Sequence, residues 1–330
     1  MSSAHLDETL VVKSPAKLNL FLEVTRRRRD GYHDIETVMH EVSLADELEL
    51  TRSGDDSGPD VSEGFEIEGY PAPDDETNLV VRAHRLLEET AGRKLATRIR
   101  LVKTIPAGSG LGGGSSDAAA ALVGLNELWG LGLDRRRLAE LSARLGADVP
   151  YFVWGGTSVV CGIGEKVVPV EGAGRFWFVV VWPGWGLSTR RVYGELSPEE
   201  IAGPRHGAEG MLEAIRSGDP EAVEACVFNR LEAPAMRADE RLAEFFRRLG
   251  PALGGARPHL TGSGSAAFAI MKDELTSRRL REELVVRGFR HAFVTATGTR
   301  PSTALRAVSL SNGTETQERR KERTSWKSPR

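Results

Sequence analysis

Apolar and polar residues alternate along Ala16 to Val24, and this period of two marks a strand whose neighbouring side chains face opposite ways. Leu18, Leu20 and Leu22 are expected on one face, with Lys17 and Asn19 presented together on the other. Leu10 to Val12 form a preceding strand, separated by a turn at Lys13-Ser14-Pro15. Further strands are expected within Asp34 to Leu50 and over Thr97 to Thr104. Between these last two, the period lengthens: Leu79, Val80, Ala83, Leu86 and Leu87 recur at helical spacing from Asn78 to Ala91, with Thr77 or Asn78 as the N-cap.

Ser115 to Trp129 and Leu133 to Gly146 read as two more helices, the second opened by Asp134 and closed by Gly146. Short strands follow at Thr157 to Cys161, Glu165 to Val170 and Phe176 to Val181, with Glu171 to Gly174 as a junction. Helices are expected over Glu221 to Phe228, Arg241 to Leu249 and Arg278 to Arg287. An interrupted strand pair is expected over His259 to Ile270 and a strand over Arg290 to Ala296. Ile201 to Leu212 has no decisive period. A length of 330 residues, near twice a usual domain of roughly 150, suggests two domains sharing a cleft.

Charge removes several function classes. The formal net charge of -3 supplies no field for nucleic acid or a membrane surface. Ser311 to Arg330 carries six lysines and arginines against three glutamates, so a net +3 sits on a polar tail expected to be disordered, and -6 remains on the rest. The apolar run Phe176 to Trp182 is far below the roughly 20 residues of a membrane span. Met1 to Thr9 has neither a basic nor an apolar leader segment. Two cysteines, Cys161 and Cys226, with no Cys/His cluster, predict no metal site and fit a reducing, cytoplasmic setting.

Glycine makes 36 of 330 residues against a usual share of about 7%, and while most are spread over turns, five stand between positions 108 and 114. Pro106, Ala107, Gly108, Ser109, Gly110, Leu111, Gly112, Gly113, Gly114, Ser115 and Ser116 open directly into an alanine-rich helix. Bare backbone amides at a helix N-terminus form an anion site reinforced by the helix dipole, and phosphate is its natural occupant. Ser115 and Ser116 add hydroxyls for phosphate oxygens or for Mg²⁺ bound with them. Gly108, Gly110 and Gly113 also match the dinucleotide pattern GxGxxG, but a second helix stands where that fold needs a strand. No lysine precedes Ser115, which excludes a P-loop.

The loop resembles the phosphate loop of the GHMP kinases, Pro-x-x-x-Gly-Leu-Gly-x-x-Ser-Ser. The similarity extends in order from about residue 10 to 308, through Ser14 to Leu22, Asp30-Gly31-Tyr32-His33, Gly146 to Phe152 and Leu260 to Ser265. It implies an α+β two-domain GHMP kinase fold with the active site in the cleft between domains 9–170 and 175–308, followed by the tail 309–330. It further implies ATP, as Mg-ATP, and a small-molecule substrate carrying a cytidine diphosphate group; a monomer or homodimer is expected. A homoserine, galactose or mevalonate type of kinase is the alternative.

By the same resemblance Asp148 is the general base and Lys17 its catalytic partner, while Asn19 orients substrate. Tyr32, His33, Thr189 and Tyr193 would contact the cytidine part, and Asn78 and Lys103 would lie near ATP. Asp148 is read as lying in an extended turn after a helix, and Asp117 as pointing away from phosphate.

Overall fold

A computed structural model describes residues 8–52, 61, 63–202, 206–298 and 307–310. The expectations for Met1 to Asp7 and for the tail 311–330 lie outside the described residues.

The chain opens on two long antiparallel strands, β1 (Glu8–Arg27) and β2 (His33–Arg52), joined by a tight turn at Asp30-Gly31. Gly31 there has φ 88°, a left-handed conformation natural to glycine. β1 is one strand and not two. Lys13-Ser14-Pro15 does not turn, because the ladder shifts register between Pro15 and Lys17, and such an irregularity tolerates a residue with no N–H to give.

A second shift, between Asn19 and Phe21, overturns the expected facing of Leu22. An extra residue in a strand reverses its alternation beyond that point. Leu18 and Leu20 pack with Phe178 and Phe268, whereas Leu22 and Val24 pack with Val179, Val181 and Leu260.

The next elements are β3 (Phe65–Gly69), α1 (Leu79–Ala91), β4 (Thr97–Lys103), α2 (Gly113–Leu128), α3 (Arg135–Ser142), α4 (Val149–Trp154), β5 (Thr157–Gly162) and β6 (Lys166–Pro169). Asp134 caps α3 as expected, but α3 ends at Ser142, short of Gly146. After β6 come β7 (Trp177–Trp182), α5 (Thr189–Gly194), α6 (Pro198–Ala202), α7 (Glu209–Ser217), α8 (Pro220–Cys226), β8 (Phe228–Asn229), α9 (Glu232–Ala238) and α10 (Glu240–Leu249). The described chain ends with β9 (His259–Leu260), β10 (Ala267–Met271), α11 (Glu274–Val286), β11 (His291–Ala296) and β12 (Ala307–Leu310).

Among the described residues, one sheet runs β12-β1-β2-β4-β3, with β5 and β6 continuing from β2 and β8 pairing with β1. The other runs β11-β7-β10-β9. α1 and α2 cover the first sheet: Val80, Ala83 and Leu87 meet Leu48, Leu50 and the alanines of α2 in one core. Each such leucine contributes about 1.5–3 kcal/mol by leaving water. α2 lies so close to β1 and β2 that a Cβ on Gly124 would stand 2.5 Å from the Leu50 side chain and 2.8 Å from Val12.

β7 is buried on both faces. Phe178 and Val180 face Leu18, Leu20 and Val38 of the first sheet, while Val179 and Val181 face Leu242, Leu280 and Leu284 of the helices behind. The two sheets are also joined by a bridge between Val42 and Thr297. Beside it, the buried His40 hydrogen-bonds Thr157 Oγ1 at 2.7 Å and Thr297 Oγ1 at 2.9 Å.

Candidate active site

After β4 the chain crosses from the first sheet toward the second as the glycine loop, then enters α2. Gly108, Gly110 and Gly112 have φ of 66°, 82° and 76°, a region that costs other residues about 1–2 kcal/mol. Space enforces the same choice. A Cβ on Gly110 would lie 2.4 Å from the Thr261 carbonyl oxygen, and one on Gly112 would lie 2.7 Å from the Phe152 ring.

The loop is strapped down from three sides. Lys17 N–H donates to Leu111 O at 3.0 Å, Ala266 N–H to Ser109 O at 2.9 Å and Leu187 N–H to Gly108 O at 3.2 Å. The N-cap of α2 is Gly112, which has no side chain to occupy the first amides of the helix, so those amides remain available to an anion.

The loop forms one wall of a cleft of about 970 Å³. Lys17 and Asn19 stand on its floor, on one face of β1 as the strand pattern requires. Lys17 is almost wholly buried, and its ammonium donates to Asn19 Oδ1 at 2.5 Å and to Gly110 O at 2.6 Å. Asn19 Nδ2 in turn donates to Thr37 Oγ1 at 2.9 Å, so the amide cannot rotate freely. Burial draws the Lys17 pKa below its ordinary value, and the Asp148 charge partly opposes that shift.

Asp148 lies in the helical region, φ -83° and ψ -12°, and is not extended, because it is the N-cap of the short α4 that the sequence did not reveal. Its side chain makes no capping hydrogen bond. Pro150 accounts for part of this, since a proline in the first turn removes an amide that a cap would bind. The carboxylate is therefore left to the cleft, near Gly164, where a Cβ would approach Asp148 Oδ1 to 3.3 Å.

The far end of the cleft is lined by Tyr32 of the β1–β2 turn, by His33 at the start of β2 and by Thr189 and Tyr193 of α5. The His33 and Tyr193 rings lie 5.1 Å apart, tilted by 32°. Burial, then the Arg27 charge, lowers the His33 pKa, which keeps its ring neutral with one donor and one acceptor. Burial and then the Asp148 charge push the Tyr193 phenol well up. Thr189 Oγ1 pairs with Ser263 Oγ at 2.9 Å, tying α5 to the Leu260–Ser265 segment beside the glycine loop.

Pro106 to Gly110 and Gly112 to Ser115 line the cleft; Leu111, Ser116, Asn78 and Lys103 do not. Asn78 caps α1, accepting from Val80 N–H at 2.8 Å and donating to Pro73 O at 2.6 Å. Lys103 is buried behind the loop, where its ammonium meets Asp46 and, at 2.6 Å, Asp117 Oδ2. Burial alone would lower its pKa, but those two carboxylates raise it. Asp117 also accepts from Ser14 Oγ at 2.7 Å and so faces away from the cleft. Burial, opposed by Lys103, pushes its carboxyl up to about 7.

Ser116 Oγ is fully buried and, among the described residues, without a hydrogen-bond partner. The structure also adds lining residues that the sequence pattern did not single out: Leu22, Arg27, Met39, Ile163 and Arg190. Arg27 stands within the basic run Arg26 to Arg29, and which way it faces is fixed only once the strand is known to reach it.

The profile of the GHMP kinases N terminal domain matches residues 78–156. The 4-diphosphocytidyl-2-C-methyl-D-erythritol kinase of Geobacillus sp. (strain WCH70) is 39% identical over 280 residues, covering 85% of this chain and 93% of its own. That of Listeria welshimeri serovar 6b is 36% identical over 278 residues, covering 84% and 92%. A crystal structure of 4-(cytidine 5'-diphospho)-2C-methyl-D-erythritol kinase superimposes with a TM-score of 0.72 at 37% identity, covering 87% of this chain and 99% of that one. At 17% identity, homoserine kinase from Cytophaga hutchinsonii shares the fold alone, with a TM-score of 0.67 over 90% of this chain and 96% of that one. The α+β architecture is the GHMP kinase fold, and the chain belongs to the 4-diphosphocytidyl-2-C-methyl-D-erythritol kinases, ATP-dependent small-molecule kinases of the GHMP superfamily.

Proposed function

We propose that the cleft transfers the γ-phosphate of ATP to the 2-hydroxyl of 4-diphosphocytidyl-2-C-methyl-D-erythritol, giving the 2-phosphate and ADP, a step of the non-mevalonate route to isopentenyl diphosphate. The observation that carries this reading is the convergence of an uncapped Asp148 carboxylate and a buried Lys17 ammonium on one cleft with the glycine loop. A protein that merely bound nucleotide would need neither.

Phosphoryl transfer asks for positioning, charge neutralisation and a destination for the hydroxyl proton. The loop amides and the α2 N-terminus hold the triphosphate. Asp148 takes the proton from the acceptor hydroxyl. Lys17 holds Asp148 ionised and stabilises charge on the transferring group, while its bonds to Asn19 and Gly110 fix the ammonium between acceptor and loop. Asn19 orients the acceptor.

The half-buried Ser115 hydroxyl, which lines the cleft beside the loop amides, fits Mg²⁺ bound with ATP. It would hold the ion, which would supply charge neutralisation between the phosphates. Asn78 and Lys103 serve the nucleotide indirectly, one by capping α1 and the other by supporting Gly113 from behind. The lobes 9–170 and 175–308 each give one wall of the cleft. Tyr32, His33, Thr189 and Tyr193 receive the cytidine.

Purified protein with Mg-ATP is expected to phosphorylate 4-diphosphocytidyl-2-C-methyl-D-erythritol, followed by ADP release and a new phosphorus resonance of the product. Homoserine, galactose and mevalonate should stay unreacted. Turnover of one of those three without turnover of the cytidylyl compound would replace this reading.

A further inference from the structure

Among the described ionisable groups at the cleft, the carboxylates are spoken for and two guanidiniums are not. The Asp148 charge is felt by Lys17, and Asp30 is bound by Arg28 at 2.9 Å. Arg26 and Arg28 are held by Asp34, at 2.5 Å and 3.4 Å. Arg27 lies between them on a strand, so its side chain projects to the opposite side, which is the cleft. Arg190 lines the same cleft from the first turn of α5. Among the described residues neither Arg27 nor Arg190 forms an ion pair.

Both belong to the far end of the cleft. Arg27 is the cross-strand partner of His33, and its charge is felt by that imidazole. Arg190 is three residues before Tyr193 on one helix, a spacing that puts two side chains on the same face. The two guanidiniums therefore flank the His33–Tyr193 ring pair from separate elements. Guanidinium suits phosphate, since its planar fork gives paired hydrogen bonds and it stays charged at any working pH. A chain with a net charge of -3 leaves an uncompensated +2 at this place alone in the cleft.

We propose that Arg27 and Arg190 form an anion subsite that takes the diphosphate of a nucleoside-diphosphate-linked acceptor. The inference rests on the function proposed above, and it adds what would discriminate the cytidylyl diphosphate compound from the cytidine part alone: two forked cations placed beside the base-binding rings.

The test measures cytidine 5'-diphosphate and cytidine binding by calorimetry to the full-length wild type, Arg27→Ala and Arg190→Ala. Each substitution is expected to weaken the diphosphate by about ten-fold, the scale of one charge-assisted contact, while cytidine binding and the thermal midpoint stay unchanged. In turnover, the acceptor KM should rise by a similar factor with the ATP KM unmoved, and Arg→Lys should recover part of the loss. Diphosphate affinity unchanged in both variants would overturn the subsite, as would equal losses for diphosphate and cytidine. If the wild type failed to turn over the cytidylyl substrate but the diphosphate-specific loss held, the proposed reaction would fall and the subsite would stand.

Discussion

The two ends of the cleft are made of different material. The loop end is backbone: three glycines at positive φ, straps to Leu111, Ser109 and Gly108, and the bare first turn of α2. The far end is side chains: Tyr32, 62% exposed at the rim, then His33, Tyr193, Arg27 and Arg190. Backbone amides read only charge and shape, which every nucleoside triphosphate offers alike. Side chains read one acceptor. On the proposed function, Lys17 and Asp148 sit where these two kinds of recognition meet, so the chemistry can be common while the acceptor is particular.

The comparison breaks most sharply at that meeting point. Asp148→Asn and Lys17→Ala are each expected to lower kcat by about 10²–10⁴-fold, the range for a lost acid–base or electrostatic group, while ATP affinity changes by only a few-fold. Single-turnover kinetics beside nucleotide titration separates the two quantities. Near-normal turnover in either variant would remove that residue from the reaction.

A second expectation concerns the joint between the two sheets that carry the cleft. His40 bridges Thr157 and Thr297, and burial lowers its pKa from 6.5 to about 4. The unfolded chain then takes up the proton first, so this stability is complete above pH 6.5 and is lost as pH falls toward 4. The loss amounts to about 3 kcal/mol. Urea midpoints at pH 7 and pH 4.5 should differ accordingly, and His40→Gln should shrink the part of the difference due to this residue.

The smallest effect belongs to the loop itself. Gly110→Ala must accept both a positive φ and a Cβ 2.4 Å from the Thr261 carbonyl, so a loss of about 2 kcal/mol is expected, seen as a lower thermal midpoint. Its ATP KM should rise more than its acceptor KM. The reverse order would mean that the loop end also reads the acceptor.

Much of this was legible in the chain. The glycine loop declares itself because its chemistry is local, and Lys17 with Asn19 follows from a period of two. What escaped is what depends on distant partners. Leu22 faces the cleft only because of the register shift after Asn19, which is a property of the pairing with β2 and not of β1 alone. Lys103 is expected near ATP until Asp46, 57 residues away, is seen beside it. α4 and α9 are too short, at six and seven residues, to show a helical period. Arg27 has no side assigned to it by alternation until the strand is known to continue that far.

α2 spans sixteen residues, about 24 Å, and is buried along most of its length against β1, β2 and α1. Mobile ions cannot gather along such a helix to cancel its field, whereas they reach exposed arginines within a Debye length of about 8 Å in physiological salt. The helix field is thus screened only where its first turn opens to the cleft, whereas Arg27 and Arg190 are exposed to ions on more sides. If the two arginines hold the acceptor as proposed, raising the salt weakens that hold.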